Sequence, residues 1–518
     1  MGKQTFNPAS GQFMIWGVIA LGLYAALQAG NIIADDGDGT ILISLGALIG
    51  LIAILTIRQF WWIPLFLITA VGFSTSVGFQ LRGTDLAAML ALSALLAMVC
   101  MGQLKSKHAE SNLGLFFYLL LLYVGAHAVL YGLQNYYSGD TQFKNIVKAY
   151  YGAFTPLLIL WLMDRYAYEK GMKGVILTGT ILSVIFGIVA LVMHLTGYSL
   201  PFISGGTLDF SWAGAENAIG YLRWVILPFL MLAICMVSCR HLTPTSKLFY
   251  RVSISILIPL NVFGGGRVAL ISLLLFLVIW FGIRGKWQQV IITGWITVLA
   301  VTALVVMGHT IDSRTLQNMP ESFKNVQRAV SIFLPADQQN DDQTMTEGSN
   351  VWHEDLVKGS WNYAMKEPVT MIFGNGYKGW DDSIDINMFT YGAAYESAVQ
   401  MAIRMGASET MFFSALAIFG WLGVVLYYAF MIELLRRSLR VIHLCPLGTM
   451  ARSLCEFSFC SILVTIIISP IGGAIPSYGL IYWMLGFIAA EPYLVRRVKS
   501  SRSTMPTMIP NLAPQPVS

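Results

Sequence analysis

From residue 13 onward the chain alternates apolar runs of roughly 17–25 residues with polar connections, the length a helix needs to cross a hydrocarbon core. Bounding the runs by charged and turn-forming residues predicts spans at 13–34, 40–57, 61–81, 84–102, 113–133, 145–163, 174–197, 219–239, 248–263, 266–283, 288–309, 409–434, 448–469 and 472–494. This is the pattern of an all-α polytopic membrane protein with about fourteen transmembrane helices. The tight pairs around Arg58, Arg82 and Gly264–Gly266 leave open a re-entrant segment in place of two spans. Only the stretch from Thr310 to Ser408 is long enough to fold outside the bilayer. The predicted organisation is a bundle of about eleven helices over 1–309, a large loop over 310–408, about three helices over 409–499, and a Pro-rich, disordered tail over 500–518.

Composition agrees with the pattern. Hydrophobic residues make up 56% of the chain and charged ones 11%, and the mean hydropathy is +0.66, far from a soluble globular domain. Met1 to Gln12 is short and polar, and no small-residue cleavage site follows the first apolar run, so that run is expected to stay as a helix.

Charge then orients the bundle. With the N-terminus inside, 20 of the 32 Lys and Arg fall in cytoplasmic segments, and seven of the remaining 12 lie in the long loop, which the positive-inside bias does not govern. Both termini are therefore expected in the cytoplasm. The net charge of +5 is spread over helix connections, with no basic stripe interleaved with aromatics, so no nucleic-acid partner is expected. Cys100, Cys235, Cys239, Cys445, Cys455 and Cys460 map to the cytoplasmic half, which implies no disulfide framework. Cys235 and Cys239 are four apart on a helix, but no His or further Cys accompanies them, and no metal site is expected.

The loop carries most of the chemistry outside the spans. Asp337 to Ser349 is polar, and Asn350 to Met365 has the spacing of an amphipathic helix. Phe373-Gly-Asn-Gly-Tyr377 reads as a turn, and Ala394 to Met405 as a second helical stretch. Helices flanked by aromatic and Gly-rich turns would make a lid or platform over a membrane cavity, with aromatic faces suited to sugar rings. The alternative use of those Trp and Tyr is interfacial anchoring. Glu433 and Glu456 fall near cytoplasmic helix ends, where Arg436, Arg437 or Arg452 would pair them. A proton-driven transporter is expected to bury Asp or Glu at mid-membrane, and the chain has none there. P-loop, Rossmann, H-E-x-x-H and G-x-S-x-G motifs are also absent.

Trp361-Asn-Tyr-Ala364, Pro368, Phe373-Gly374-Asn375-Gly376 and the entry Glu409-Thr410 to Gly420-Trp-Leu-Gly423 follow one another in an order that resembles the O-antigen ligase and O-antigen polymerase (Wzy-type) superfamily. Asn261-Val-Phe-Gly-Gly-Gly-Arg267 and, more weakly, Ile219-Gly-Tyr-Leu-Arg223 resemble the family's arginines at external helix mouths. The likeness covers residues 219–435. It implies a GT-C-like glycosyltransferase of the bacterial inner membrane, acting at the periplasmic face without metal or cofactor. Such enzymes transfer a glycan from an undecaprenyl-pyrophosphate-linked oligosaccharide to a hydroxyl. Ligases commonly carry His where this chain has Glu409-Thr410, which favours a polymerase that extends another lipid-linked repeat unit. The alternatives are a ligase acting on lipid A–core or protein, and a lipid-linked sugar transporter or flippase. Membrane lipids are expected partners, and a chain-length regulator is one that the sequence neither requires nor excludes.

The chemistry names the candidate residues. Departure of a pyrophosphate calls for cations at the interface, and an arginine offers a planar two-pronged clamp. Arg267 and Arg223 lead, with Arg404 and Arg314 where the loop meets the membrane. A charge at such depth is costly unless used, although snorkelling to lipid phosphate is the bland alternative. Glu409 is the first candidate to take the acceptor's proton, with His353 and Glu354 behind it. Glu409 could equally serve the dipole of the helix it precedes.

Overall fold

The computed structural model describes residues 114–139, 218–240, 242–264, 267–296, 344–378, 399–406 and 410–470, with isolated positions between 146 and 192 and at 299. The spans predicted before residue 103 and at 472–494, and the tail, lie outside the described residues, as do most of 145–163 and nearly half of 174–197. Among the described residues every regular element is a helix.

The helices are α1 (Leu115–Tyr137), α2 (Ala218–Val237), α3 (Pro244–Gly264), α4 (Arg267–Ile283), α5 (Thr344–Met365), α6 (Pro368–Phe373), α7 (Met411–Leu444) and α8 (Met450–Ile468). α1, α7 and α8 are long and apolar enough to cross a membrane, and α2 and α4 contain shorter apolar stretches at Ile226–Val237 and Ala269–Ile283. At 1.5 Å per residue, α1 spans about 35 Å and α8 about 28 Å. The boundaries follow local signals. α1 starts behind Gly114 at φ +90°, and α8 behind Thr449, whose hydroxyl accepts the Arg452 amide. α7 runs ten residues past the predicted end, because its last turns carry paired charges rather than a stop signal. α5 begins six residues before the predicted Asn350, at Thr344.

α3 and α4 are two separate helices of 21 and 17 residues. The Arg240 amide just beyond α2 donates to Gly448 O between α7 and α8 at 2.8 Å. Arg284, just beyond α4, reaches Glu456 in α8, with Nε–Oε2 2.8 Å. The C-terminal ends of α2, α4 and α7 therefore meet the start of α8 at one end of the bundle. Arg240, Arg284, Arg436, Arg437, Arg440 and Arg452 gather there, and it is called the basic end below.

Glu456 is fully buried at that end. Arg452 Nε lies 2.9 Å from one carboxylate oxygen, Arg284 and the Trp280 indole N–H (3.2 Å) hold the other, and the Arg284 guanidinium stacks 4.3 Å over the Trp280 ring. Two guanidiniums and an indole thus offset the several kcal/mol it costs to bury such a charge. Arg437 and Arg436 pair with Glu433 at 3.0 and 3.8 Å. The pairings expected from sequence are present, and Arg284 is the partner that only tertiary structure could supply.

Between the ends the core is built by Phe117 against Phe430 and Phe276 against Phe457. Cys235, Cys239, Cys445, Cys455 and Cys460 are buried free thiols. α8 sits between α7 and the pair α2 and α4, while α1, α5 and α6 pack on α7.

Candidate functional site at the loop end of the bundle

The opposite end is organised by a break in α7. Gly420 has φ +62° and ψ −173°, so the i→i−4 ladder stops there and carbonyls on its N-terminal side lose their helical partners. The Phe373–Lys378 turn supplies replacements. Asn375 N–H donates to Ala417 O at 3.1 Å and Gly376 N–H to Ile418 O at 2.9 Å, while the Tyr123 hydroxyl of α1 lies 2.7 Å from Phe419 O. Only glycines allow the approach: a Cβ on Gly374 would meet Ile418 O at 2.2 Å, and one on Gly420 would meet Gly374 N at 2.4 Å.

α1 grips the same turn with one stripe of side chains at four-residue spacing. His127 Nε2 lies 2.6 Å from Phe373 O and Tyr123 OH 2.9 Å from it. Tyr131 OH donates to Gly374 O at 2.8 Å, and Asn135 Nδ2 to Tyr377 O at 2.9 Å. The carbonyl fixes the His127 tautomer with its proton on Nε2, which leaves Nδ1 an acceptor, buried and, among the described residues, without a hydrogen-bond partner. Tyr123, Tyr131 and Phe419 surround the ring with centroids 4.8–5.2 Å away. Inside the turn, Asn375 Nδ2 donates to Tyr363 O at 3.0 Å and ties α5 to the assembly.

Two cations stand against this frame. Arg404 is 2% exposed, and its guanidinium lies 5.9 Å over the Tyr363 ring. Its carbonyl accepts the Lys378 N–H at 3.3 Å. Lys378 is half-buried, with Nζ 5.9 Å over the Tyr131 ring. Burial, and then the charge of Arg404, hold the Lys378 ammonium below the usual lysine range. Burial also pushes the Tyr363 phenol up to about 12. The turn itself is no phosphate loop. Its amides at Gly374, Asn375, Gly376, Tyr377 and Lys378 donate to Thr370 O, Ala417 O, Ile418 O, the Tyr150 hydroxyl and Arg404 O. An anion here depends on side chains.

Of the residues named from sequence, Arg404 is thus brought into the loop-end assembly. Glu354 lies on the exposed face of α5, paired with Lys358. His353 is a helical position of α5, Arg223 falls in the second turn of α2, and Arg267 is the first residue of α4; their side chains are outside the described set. Glu409 and Arg314 lie outside the described residues, Glu409 immediately before Thr410, the N-cap residue of α7. Because α2 and α4 end at the basic end, their first turns stand at the loop end. Asn261, in the last turn of α3 at that same end, is fully buried, and among the described residues neither atom of its amide has a hydrogen-bond partner.

The motif that carried the family resemblance is the latch itself. Ala364 is buried against Leu416 and Val424, Pro368 opens α6, and Gly374 and Gly420 face each other. Sequence reading missed the α1 stripe and Lys378. The stripe had a signal: Tyr123, His127, Tyr131 and Asn135 place four polar groups on one face of an apolar run, and an intramembrane His asks for a partner.

Compared with known proteins, the chain matches no protein-family model and no curated protein sequence.

Proposed function

We propose that the protein is a polytopic glycosyltransferase of the bacterial inner membrane that polymerises lipid-linked oligosaccharide repeat units at the periplasmic face. The reading uses about fourteen spans, both termini in the cytoplasm and residues 310–408 outside. A hydroxyl oxygen of one repeat unit bonds to the anomeric carbon of the growing chain. The bond from that carbon to undecaprenyl pyrophosphate breaks, and the pyrophosphate leaves with the electron pair. Arg267 and Arg223 clamp it. Glu409 takes the hydroxyl proton, with His353 or Glu354 as the alternative base. No metal or other cofactor enters the scheme.

The observation that carries the reading is the shared end. The loop segment that bears the motif, the cations Arg404 and Lys378, and the first turns of α2 and α4 all stand opposite the basic end. The positive-inside bias assigns the basic end to the cytoplasm and thereby the loop end to the periplasm. The Asn261 amide, in the last turn of α3 at the same end and without a hydrogen-bond partner among the described residues, adds to it. Such a group costs about 1–3 kcal/mol, a cost that a bound ligand would offset.

Incubating the purified protein with an undecaprenyl-pyrophosphate-linked repeat unit tests the proposal. A ladder of lengthening products is expected. Single transfer that appears only when lipid A–core is added would make the protein a ligase, and inactivity in both reactions would turn the reading toward transport.

A further inference from the structure

Two helices fix the depth of the Phe373–Tyr377 turn independently, and both are candidate membrane spans. Along α1, His127 meets Phe373 O and lies ten residues before Tyr137, about 15 Å from that end at 1.5 Å per residue. Along α7, Gly420 faces Gly374 and lies nine residues beyond Met411, about 14 Å from that end. At the basic end a Cβ on Gly114 would stand 2.9 Å from the Arg437 guanidinium and 3.5 Å from Glu433. The apolar length of α1 between those charges and the exposed pair Tyr136–Tyr137 has to house a hydrocarbon core of about 30 Å. The turn sits near its middle.

We infer that Ala364–Tyr377 is a re-entrant segment: it enters the bilayer from the loop end beside α7, turns near mid-membrane, and lays the apolar face of α6 against lipid acyl chains. The inference goes beyond the polymerase reading and rests only on α1 and α7 as membrane spans. It draws these residues out of the external stretch 310–408 and puts a limb set into the membrane where the sequence suggested a lid above it.

Three observations carry it. The first is backbone satisfaction. A turn in water leaves its polar groups to solvent, whereas irregular backbone at membrane depth needs partners from the protein. The amides from Gly374 to Lys378 all have protein acceptors, and α1 side chains serve Phe373 O, Gly374 O and Tyr377 O. That accounts for four polar groups on one stripe of an apolar span. The second is the path. The partners on α1 climb from His127 through Tyr131 to Asn135, a rise of about 12 Å. Four residues of extended chain reach about 13–14 Å, so Phe373–Tyr377 is the returning arm, running from mid-depth to the end of α1. The entering arm reaches the same depth, because Ala364 at the end of α5 packs against Leu416 and Val424, which flank Gly420.

The third is the outer face of α6. Val369, Ile372 and Phe373 share one side of that helix and are 63%, 44% and 46% exposed. At the depth just derived this face meets hydrocarbon, as do the exposed Val129 of α1 and Leu422 of α7 at a similar level. Lys366 and Glu367, also exposed, stand at the joint between α5 and α6. Exposed charges at this depth are tolerated toward water, so the joint opens on a water-filled cleft and α6 walls that cleft from lipid.

Electron paramagnetic resonance of spin labels on the full chain in phosphatidylcholine vesicles tests this. Val369→Cys, Ile372→Cys and Lys366→Cys are labelled singly. The described native cysteines are buried, and the labelled wild type serves as the blank. Labels at 369 and 372 are expected to collide more with oxygen, which concentrates in hydrocarbon, than with a nickel chelate, which stays in water. The label at 366 is expected to show the reverse ratio. An excess of nickel collisions at either 369 or 372 would overturn the inference and leave the segment above the membrane. An excess of oxygen collisions at 366 would overturn the cleft. No substrate is present, so either failure is distinct from failure of the polymerase reading, which shows as the absence of a product ladder.

Discussion

Gly374 of the loop turn and Gly420 of α7 meet backbone to backbone, both at positive φ, with no room for a Cβ on either. The contact joins the loop to the membrane helices at the point where α7 breaks. Neither feature stands alone: the break exposes the carbonyls of Ala417 and Ile418, and the turn supplies the amides that satisfy them.

Gly374→Ala and Gly420→Ala are each expected to destabilise the fold by more than about 2 kcal/mol. The positive φ alone costs roughly 1–2 kcal/mol in a residue with a side chain, and the clash with backbone adds to it. Thermal unfolding in detergent measures the loss, and limited proteolysis between residues 366 and 406 should show the loop released. Gly282→Ala, where nothing lies within 4 Å of an added Cβ, is the control and should be nearly neutral.

His127→Phe keeps the ring in its aromatic surroundings but removes the donor to Phe373 O, leaving that carbonyl, among the described residues, a share in the single Tyr123 hydroxyl proton that also faces Phe419 O. A loss of about 1–3 kcal/mol is expected. Combined with Tyr131→Phe in a double-mutant cycle, the two losses should be non-additive, because both side chains hold the same turn. Strict additivity would mean that the turn does not act as a unit.

These two contacts show how far the sequence could be read. The segments corresponding to α1, α2, α3, α4, α7 and α8 are legible because each is an apolar run bounded by charge or glycine. The turn at Phe373–Tyr377 is legible from its glycines. The partner of that turn was not legible, since pairing Gly374 with Gly420 and His127 with Phe373 O depends on a register between distant segments that no local signal encodes. The same holds for Arg284 and Glu456: a carboxylate near Arg452 predicts one ion pair, and the second guanidinium arrives from another helix. Of the candidate site, Arg404 was visible as a cation at the loop boundary. Lys378 was not, because a lysine in a polar loop has an ordinary solvated reading.

At the basic end, Arg284→Met strips Glu456 of one of two guanidiniums and should cost about 3–5 kcal/mol, the usual penalty for breaking a buried pair from one side. Adding Glu456→Gln should recover part of that loss, since the carboxylate left behind is the larger liability. Thermal melts of the two single variants and the double variant decide it; a double variant less stable than Arg284→Met would contradict the clamp.

The Lys378 charge should cost stability. Its folded pKa lies below the unfolded lysine value, so between those two values the folded state binds fewer protons than the unfolded one, and stability rises with pH. Below both values the penalty is fully present. Lys378→Met should therefore melt higher than the wild type at pH 7, and the difference should shrink as the pH is raised toward 10.5. A variant that melts lower at pH 7 would mean that Lys378 is structural.

The central claim is chain lengthening that depends on cations at the loop end, and its most direct test is product length. The wild type and Arg267→Ala, matched for melting temperature, are incubated with one undecaprenyl-pyrophosphate-linked repeat unit, and the products are resolved by size. The account predicts a ladder from the wild type and unextended substrate from Arg267→Ala. An undiminished ladder from the variant would contradict the role given to Arg267, and the absence of any ladder from the wild type would contradict the polymerase itself.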